Sequence, residues 1–394
     1  MKVNKGWLCL LPWILLILPG CNSLNIRDIR DIGAVVEDPS TAKQVLKNRG
    51  RSYAESQIPA DLKALKVTIE RFVEQIDDIW GKDNAKQPGP KDYVKYTDKY
   101  YNRAHVNFES GTVTIETLAP DSQEQYLKKA IITTLLTPDD PRQVDLYSDA
   151  TPGGPDESKG NPFLYEQVLD HEGKAIQWEW RANRYADYLI KNKISKVKIG
   201  DKNGLRVIFP LVKTHQKIRA YKYASLVRKY SKKYNVTESL IYGIIKTESS
   251  FNPFAVSHAP AYGLMQIVPS TAGRDVFEKI KKSPGQPSPH NLYNPEYNID
   301  IGTAYVKILQ EQYLVKVKDQ NARRYTVISA YNGGAGNVLK TFSSNREQAV
   351  VKINQLSSSE VYQQLTNKHP KHESRRYLLK VNEAQKEFWK NEGF

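Results

Sequence analysis

Of the 394 residues only two are cysteine, Cys9 and Cys21, and only two are methionine. So few cysteines exclude a disulfide framework. Long apolar runs are equally scarce. Trp7 to Leu18 is broken by Pro12 and is too short to cross a bilayer comfortably. The seven histidines are scattered without metal-ligand spacing, so neither a metal nor another cofactor is expected. Negative charge is the remaining deficit: 43 acidic residues face 58 basic ones, a formal net charge of +15. Anionic partners are implied, whether nucleic acid, lipid headgroups or a carboxylate-bearing polymer, the plainer alternative being a basic surface that serves solubility. With 40% hydrophobic and 26% charged residues, the chain has enough apolar material to fold, and disorder is not its default state.

What is present begins at the N-terminus. Lys2 and Lys5 precede the apolar run, and Leu18-Pro19-Gly20-Cys21 closes it, the order of a secretory signal. The closing residues resemble the bacterial lipoprotein cleavage box, with Pro19 where a small or aliphatic residue is usual. That resemblance implies removal of residues 1–20 and lipid attachment to Cys21; a non-lipidated signal or an uncleaved anchor is the alternative. Each buried lipid methylene contributes about 0.8 kcal/mol, so an acylated cysteine is a lasting anchor. Asn22 stands where aspartate would signal inner-membrane retention, implying the periplasmic face of the outer membrane. Export, and the lack of any zinc or RNA-binding motif, argue against nucleic acid as the partner.

Residues 21–60 are polar and read as a tether from lipid to folded protein. An α+β domain is expected over 61–215. Its first helix carries Leu62, Leu65, Ile69, Phe72, Ile76, Ile79 and Trp80 as one stripe, ended by Gly81. Alternation around Ser110-Gly111 predicts a hairpin, and Phe163 to Ile176 reads as a second one turning at His171-Glu172-Gly173. Helices are expected at Glu124 to Leu136 and Arg181 to Lys191, and a strand within Leu205 to Lys213. From 216 to 394 the period is helical almost throughout. Caps are expected at Thr237, Asn294 and Ser357, and a stop at Gly333-Gly334.

Three segments of the helical half carry candidate chemistry. Glu248 ends an apolar helix close to Phe251 and Phe254, where poor solvation would raise its pKa into the range of a general acid. Alone, a helix-end glutamate is far more often a solvated surface residue. Tyr262-Gly-Leu-Met-Gln266 offers a thioether for an apolar sugar face and an amide for polar groups, or simply a core methionine. Ala330-Tyr-Asn-Gly-Gly334 places a tyrosine and an amide before a glycine stop, which is also an ordinary helix end.

Together, the segment Glu248-Ser-Ser-Phe-Asn-Pro-Phe-Ala-Val-Ser257, then Gly-Leu-Met-Gln, Ala-Tyr-Asn-Gly-Gly and Arg376-Tyr-Leu-Leu-Lys-Val381 resemble the soluble lytic transglycosylase family of the lysozyme superfamily. Trp80-Gly81, Gly89 to Asp98, Asn107-Phe108 and Asp145 to Asp149 resemble the N-terminal region of its membrane-bound murein-cleaving members, outer-membrane lipoproteins of Gram-negative bacteria. The resemblance implies a lysozyme-like catalytic domain and peptidoglycan as substrate. It assigns Glu248 as the single acid/base and Ser257, Gly263, Met265, Gln266, Tyr331, Asn332 and Tyr377 as substrate-binding residues. Val268 stands where the family often has a second methionine. The implied reaction cleaves the bond between N-acetylmuramic acid and N-acetylglucosamine without water, leaving a 1,6-anhydro end. A hydrolytic muramidase is the alternative, needing a second carboxylate such as Asp275 or Asp300. A catalytically inactive wall-binding lipoprotein is the other. Unidentified cell-wall synthesis proteins are further candidate partners.

Overall fold

The computed structural model describes residues 60–153, 160–257 and 261–390. The signal, Cys21 and nearly all of the tether lie outside them, as do the side chains of Leu62 and Leu65.

The chain enters through α1, Ala60–Trp80, whose Phe72, Ile76 and Trp80 are fully buried. They cover one face of a five-stranded antiparallel sheet: β1 (Asp92–Thr97), β2 (Asn102–Asn107), β3 (Thr112–Thr117), β4 (Ser195–Ile199) and β5 (Lys202–Pro210), in the order β1-β2-β3-β5-β4. Phe72 and Trp80 each meet Tyr96 edge-on at 5.8 Å. The helices α2 (Gln123–Leu135) and α3 (Glu179–Lys193) cover the opposite face, burying Leu127, Ile131, Ala186 and Leu189 against Val106, Ile115 and Val207. The N-terminal half is therefore α+β, as its patterning implied.

β1 and β4 were not legible as strands, for different reasons. Lys95 interrupts β1 with a buried charge, whose ammonium is satisfied by the carbonyls of Asp145 at 2.6 Å and Ser148 at 2.5 Å. β4 is an edge strand carrying Lys196 and Lys198 on its exposed positions, which discourages pairing with another chain. The hairpin expected over Phe163 to Ile176 is corrected. Only Leu169 and Ala175 make a bridge, and the segment before them is a series of turns. Asp170 accepts from the amides of Glu172 and Lys174, both at 2.9 Å, and so closes a side-chain-made turn.

Among the described residues from His215 onward every regular element is helical. The sequence runs α4 (His215–Lys222), α5 (Ala224–Tyr234), α6 (Glu238–Ser249), α7 (Pro295–Ile308) and α8 (Gln320–Gly333). It continues with α9 (Ala335–Lys340), α10 (Arg346–Gln355), α11 (Ser358–Lys368) and α12 (His372–Lys390), while shorter turns join α6 to α7. Asn294 caps α7 through the Tyr297 amide, and Ser357 with Glu360 forms a reciprocal capping box. Thr237 holds the cap position of α6 without a side-chain bond.

The two halves are tied by side chains as well as by the chain. Phe254 leaves the helical half and is buried in the N-terminal core, edge-on to Tyr93 at 5.0 Å and Phe163 at 5.2 Å. Arg219 on α4 is the second tie. It donates to the Gln167 side chain at 2.6 Å, the Phe108 carbonyl at 3.0 Å and the Ser250 carbonyl at 3.1 Å. Burial pulls its pKa down to about 9, while neighbouring His215, also buried, is pushed down to about 4. The neutral imidazole nitrogen of His215 lies 3.0 Å from the guanidinium and accepts from it.

Candidate active site

The last turn of α6 brings Glu248 to the floor of a cleft of about 860 Å3. Left-handed backbone at Ser250 and Phe251 turns the chain sharply away after it. Ser249, fully buried, donates to the Leu264 carbonyl at 2.8 Å and so pins the end of α6 to the loop that follows.

That loop is organised by a residue the sequence did not single out. Asn298 on α7 accepts from the Met265 amide at 2.8 Å and donates to the carbonyls of Tyr262 at 2.7 Å and Leu292 at 2.8 Å. Gly263 packs against it with φ of +71°, and an added Cβ would stand 2.4 Å from the Asn298 amide nitrogen. Gly263→Ala is therefore expected to destabilise the protein by roughly 3 kcal/mol, from strain and collision together. Urea denaturation checks this, and an unchanged midpoint would mean that the loop yields at little cost.

Gly263 and Met265 are thus framework, not lining. The Met265 side chain is fully buried and packs against Gly302, where a Cβ would be 2.4 Å from its sulfur. Its carbonyl accepts from the Tyr331 hydroxyl at 2.9 Å, which fixes that ring at the cleft. Gln266, next in the motif, does line the cleft, with its amide nitrogen bonded to the Gly263 carbonyl at 3.0 Å. Ser257, Val268, Tyr331, Asn332 and Tyr377 line it as well, so most of the candidate residues share one cavity with Glu248.

Phe251 and Phe254 do not shield the acid. Phe254 is buried in the other half, and Phe251 packs on Tyr242 at 6.1 Å. Tyr331 and Tyr377 take that place, and proximity to Glu248 adds to burial in holding both phenols well above their ordinary pKa. Tyr377 faces the carboxyl closely enough to favour its charge, although its buried hydroxyl makes no hydrogen bond of regular geometry. The Glu248 pKa is pushed up to about 8, chiefly by burial. The Tyr377 hydroxyl and Lys91 pull against that rise, and the nearby Glu373 carboxylate adds to it. At neutral pH the group is mostly protonated, the state a general acid requires.

Neither Asp275 nor Asp300 lines this cleft. Asp275 is held by Lys279 and the Tyr313 hydroxyl, while Asp300 is paired with Lys233 and Lys281. Besides Glu248, the carboxylates that line it among the described residues are Asp92, Glu109 and Glu373, each with a partner. Asp92 accepts from His105 at 2.7 Å and Asn107 at 2.8 Å, Glu109 pairs with Lys91, and Glu373 accepts from Asn332 at 2.9 Å.

Lys91, Asp92, Asn107 and Glu109 show what sequence reasoning missed: the α+β half forms one wall of the cleft. Asp92 and Asn107 are directly opposed on β1 and β2, and Glu109 sits in the β2–β3 turn. Asn252 draws the halves together here, donating to the Pro90 carbonyl at 3.2 Å. The available signal was that Gly89 to Asp98 and Asn107-Phe108 already carried the N-terminal resemblance. Among the described residues no group of three or more His, Cys, Asp or Glu is placed to hold a metal ion, and no helix is long and apolar enough to cross a membrane.

Residues 58–222 match the family described as membrane-bound lytic murein transglycosylase C, N-terminal domain, and residues 225–354 match the transglycosylase SLT domain. A membrane-bound lytic murein transglycosylase C of Photorhabdus laumondii is 52% identical over 339 residues, covering 86% of this chain and 94% of the relative. Its counterpart in Yersinia enterocolitica is 52% identical over 328 residues, covering 83% and 90%. The crystal structure of the 70 kDa soluble lytic transglycosylase of Escherichia coli aligns with 42% of this chain and 24% of its own length, at 27% identity and a TM-score of 0.32.

Proposed function

Since the chain belongs to the membrane-bound lytic murein transglycosylase C family and is a lytic murein transglycosylase acting on peptidoglycan, we propose that Glu248 is the single acid/base of its reaction. The observation that carries this reading is a carboxyl with a pKa of about 8 on the floor of the cleft, beside Tyr331 and Tyr377.

In the proposed sequence the protonated Glu248 gives its proton to the oxygen linking N-acetylmuramic acid to N-acetylglucosamine. The C1–O bond breaks, and N-acetylglucosamine leaves with a free 4-hydroxyl. Positive charge at C1 is stabilised by the substrate's own N-acetyl oxygen. The Glu248 carboxylate then removes the proton from the muramyl C6 hydroxyl, whose oxygen bonds to C1 and closes the 1,6-anhydro ring. Glu248 ends protonated, ready for another cycle, and no water is consumed. Substrate contacts fall to Ser257, Gln266, Tyr331, Asn332 and Tyr377, while Gly263 and Met265 act through the loop they support. Asp92, Glu109 and Glu373 are all engaged by neighbours, which supports one free carboxyl over a two-carboxylate hydrolase.

The test is mass spectrometry of fragments released from purified sacculi. Fragments ending in 1,6-anhydromuramic acid are expected; reducing ends would replace this chemistry by hydrolysis. For placement, the reading is that residues 1–20 are a signal and that Cys21 carries lipid at the periplasmic face of the outer membrane. Residues 21–60 serve as the tether, 61–215 as the accessory domain and 216–394 as the catalytic one. Metabolic labelling with a fatty acid, lost in Cys21→Ser, tests the anchor.

A further inference from the structure

The charges lining the cleft are unevenly satisfied. Its carboxylates other than Glu248 have partners, and Lys91 is paired with Glu109. Lys371, Arg376 and Lys380 line the same cleft, are exposed, and have no ion pair or side-chain hydrogen bond among the described residues. Some basic side chains elsewhere are matched, as Lys246 is by Glu387 and Arg181 by Asp170, and what sets the unpaired three apart is that all of them line the cleft.

These three cations form a line. Arg376 and Lys380 are one turn apart on the same face of α12, and Lys371 immediately precedes that helix. Tyr377, beside Arg376, faces Glu248, so the middle of the line lies next to the catalytic carboxyl, with Lys371 and Lys380 to either side along the cleft. From His372 to Lys380 the helix rises roughly 12 Å. An extended peptide of four residues spans about 13 Å.

Resting on the transglycosylase reading above, we propose that Lys371, Arg376 and Lys380 form a rail for the carboxylates of the peptide stem carried by the muramyl residue. The enzyme then cleaves stem-bearing strands in preference to bare glycan. A strand stripped of its stems keeps only the lactyl carboxylate, close to the sugar ring, which cannot reach along the helix. Arg376 can take a stem carboxylate bidentately, while the two lysines act as point charges on either side.

The experiment compares stem-bearing glycan strands with the same strands stripped by an N-acetylmuramoyl-L-alanine amidase. Wild type, Lys380→Gln and the double variant Arg376→Gln/Lys380→Gln are assayed on both. The double variant is expected to lower the stem-bearing to stripped ratio of kcat/KM about tenfold, mainly through KM, with Lys380→Gln intermediate. The wild-type ratio is expected to fall as salt rises, because exposed charges are screened. A ratio unmoved by both variants and by salt overturns the proposal. So does an unmoved ratio accompanied by lost binding to phosphatidylglycerol vesicles, which would assign the rail to a membrane surface. Cleavage is counted as glycan breaks whatever end is formed. Hydrolytic ends would therefore overturn the chemistry proposed above while the ratio still decides this inference.

Discussion

Glu248→Gln is expected to lower release of 1,6-anhydro fragments from sacculi by about 10³-fold or more, because one side chain supplies both proton transfers. The amide keeps the shape and can neither give the proton to the leaving oxygen nor take one from the C6 hydroxyl. In the wild type, kcat should fall as pH rises through about 8, where the acid form is lost. Stability offers a second readout with a definite sign. The folded pKa of Glu248, about 8, lies above its ordinary value of 4.5. Below the ordinary value the carboxyl is protonated in both states and costs nothing. Between the two values the unfolded chain ionises first, so stability falls as pH rises, and the cost is complete above about 8. Glu248→Gln lacks that cost. Its stability relative to wild type should rise across this window by on the order of 1–3 kcal/mol, read by urea denaturation at pH 5 and pH 8. A variant that is inactive with no pH-dependent gain would place Glu248 in a solvated setting and remove the physical basis of its acid role.

The second large effect is expected at Arg219. Replacing it by Met leaves the Gln167 side chain and the carbonyls of Phe108 and Ser250 without their donor in a buried place. Each loss of a hydrogen bond from a charged donor costs about 1.5–3 kcal/mol, and removing the charge from water-poor surroundings recovers part of it. A net loss of about 3 kcal/mol is expected in urea denaturation. The functional consequence is more specific. Phe108 adjoins Asn107 and Glu109 on the cleft wall, and Ser250 lies two residues beyond Glu248. Loosening this clamp should raise KM for sacculi several-fold with a smaller change in kcat, since the wall moves and the acid stays. Lower stability with unchanged KM would show that the wall is held without Arg219.

Some of this was legible because it depends on neighbours along the chain. The stripe of α1, the hairpin of β2 and β3 and the caps at Asn294 and Ser357 follow from local period and turn chemistry. Glu248 stood out through the motifs around it, but its supposed shield did not survive. Phe251 and Phe254 are close in sequence, yet the left-handed turn at Ser250 and Phe251 sends them elsewhere. Met265 looked like a cleft residue because its motif is, whereas the loop turns its side chain into the core against Gly302.

By itself the sequence determined the class of each half, the positions of Glu248, Tyr331 and Tyr377 on helices, and the excess of positive charge. Those properties are set by residues a few positions apart. Tertiary structure alone decided which groups share water-poor space. It put Asn298 under the Gly263 loop, sent Asp275 and Asp300 away from the cleft, and brought Lys91 and Asp92 to a carboxyl far along the chain. The pKa of Glu248 belongs to that second kind. Desolvation is a property of everything packed around a group, and no single stretch of chain contains it.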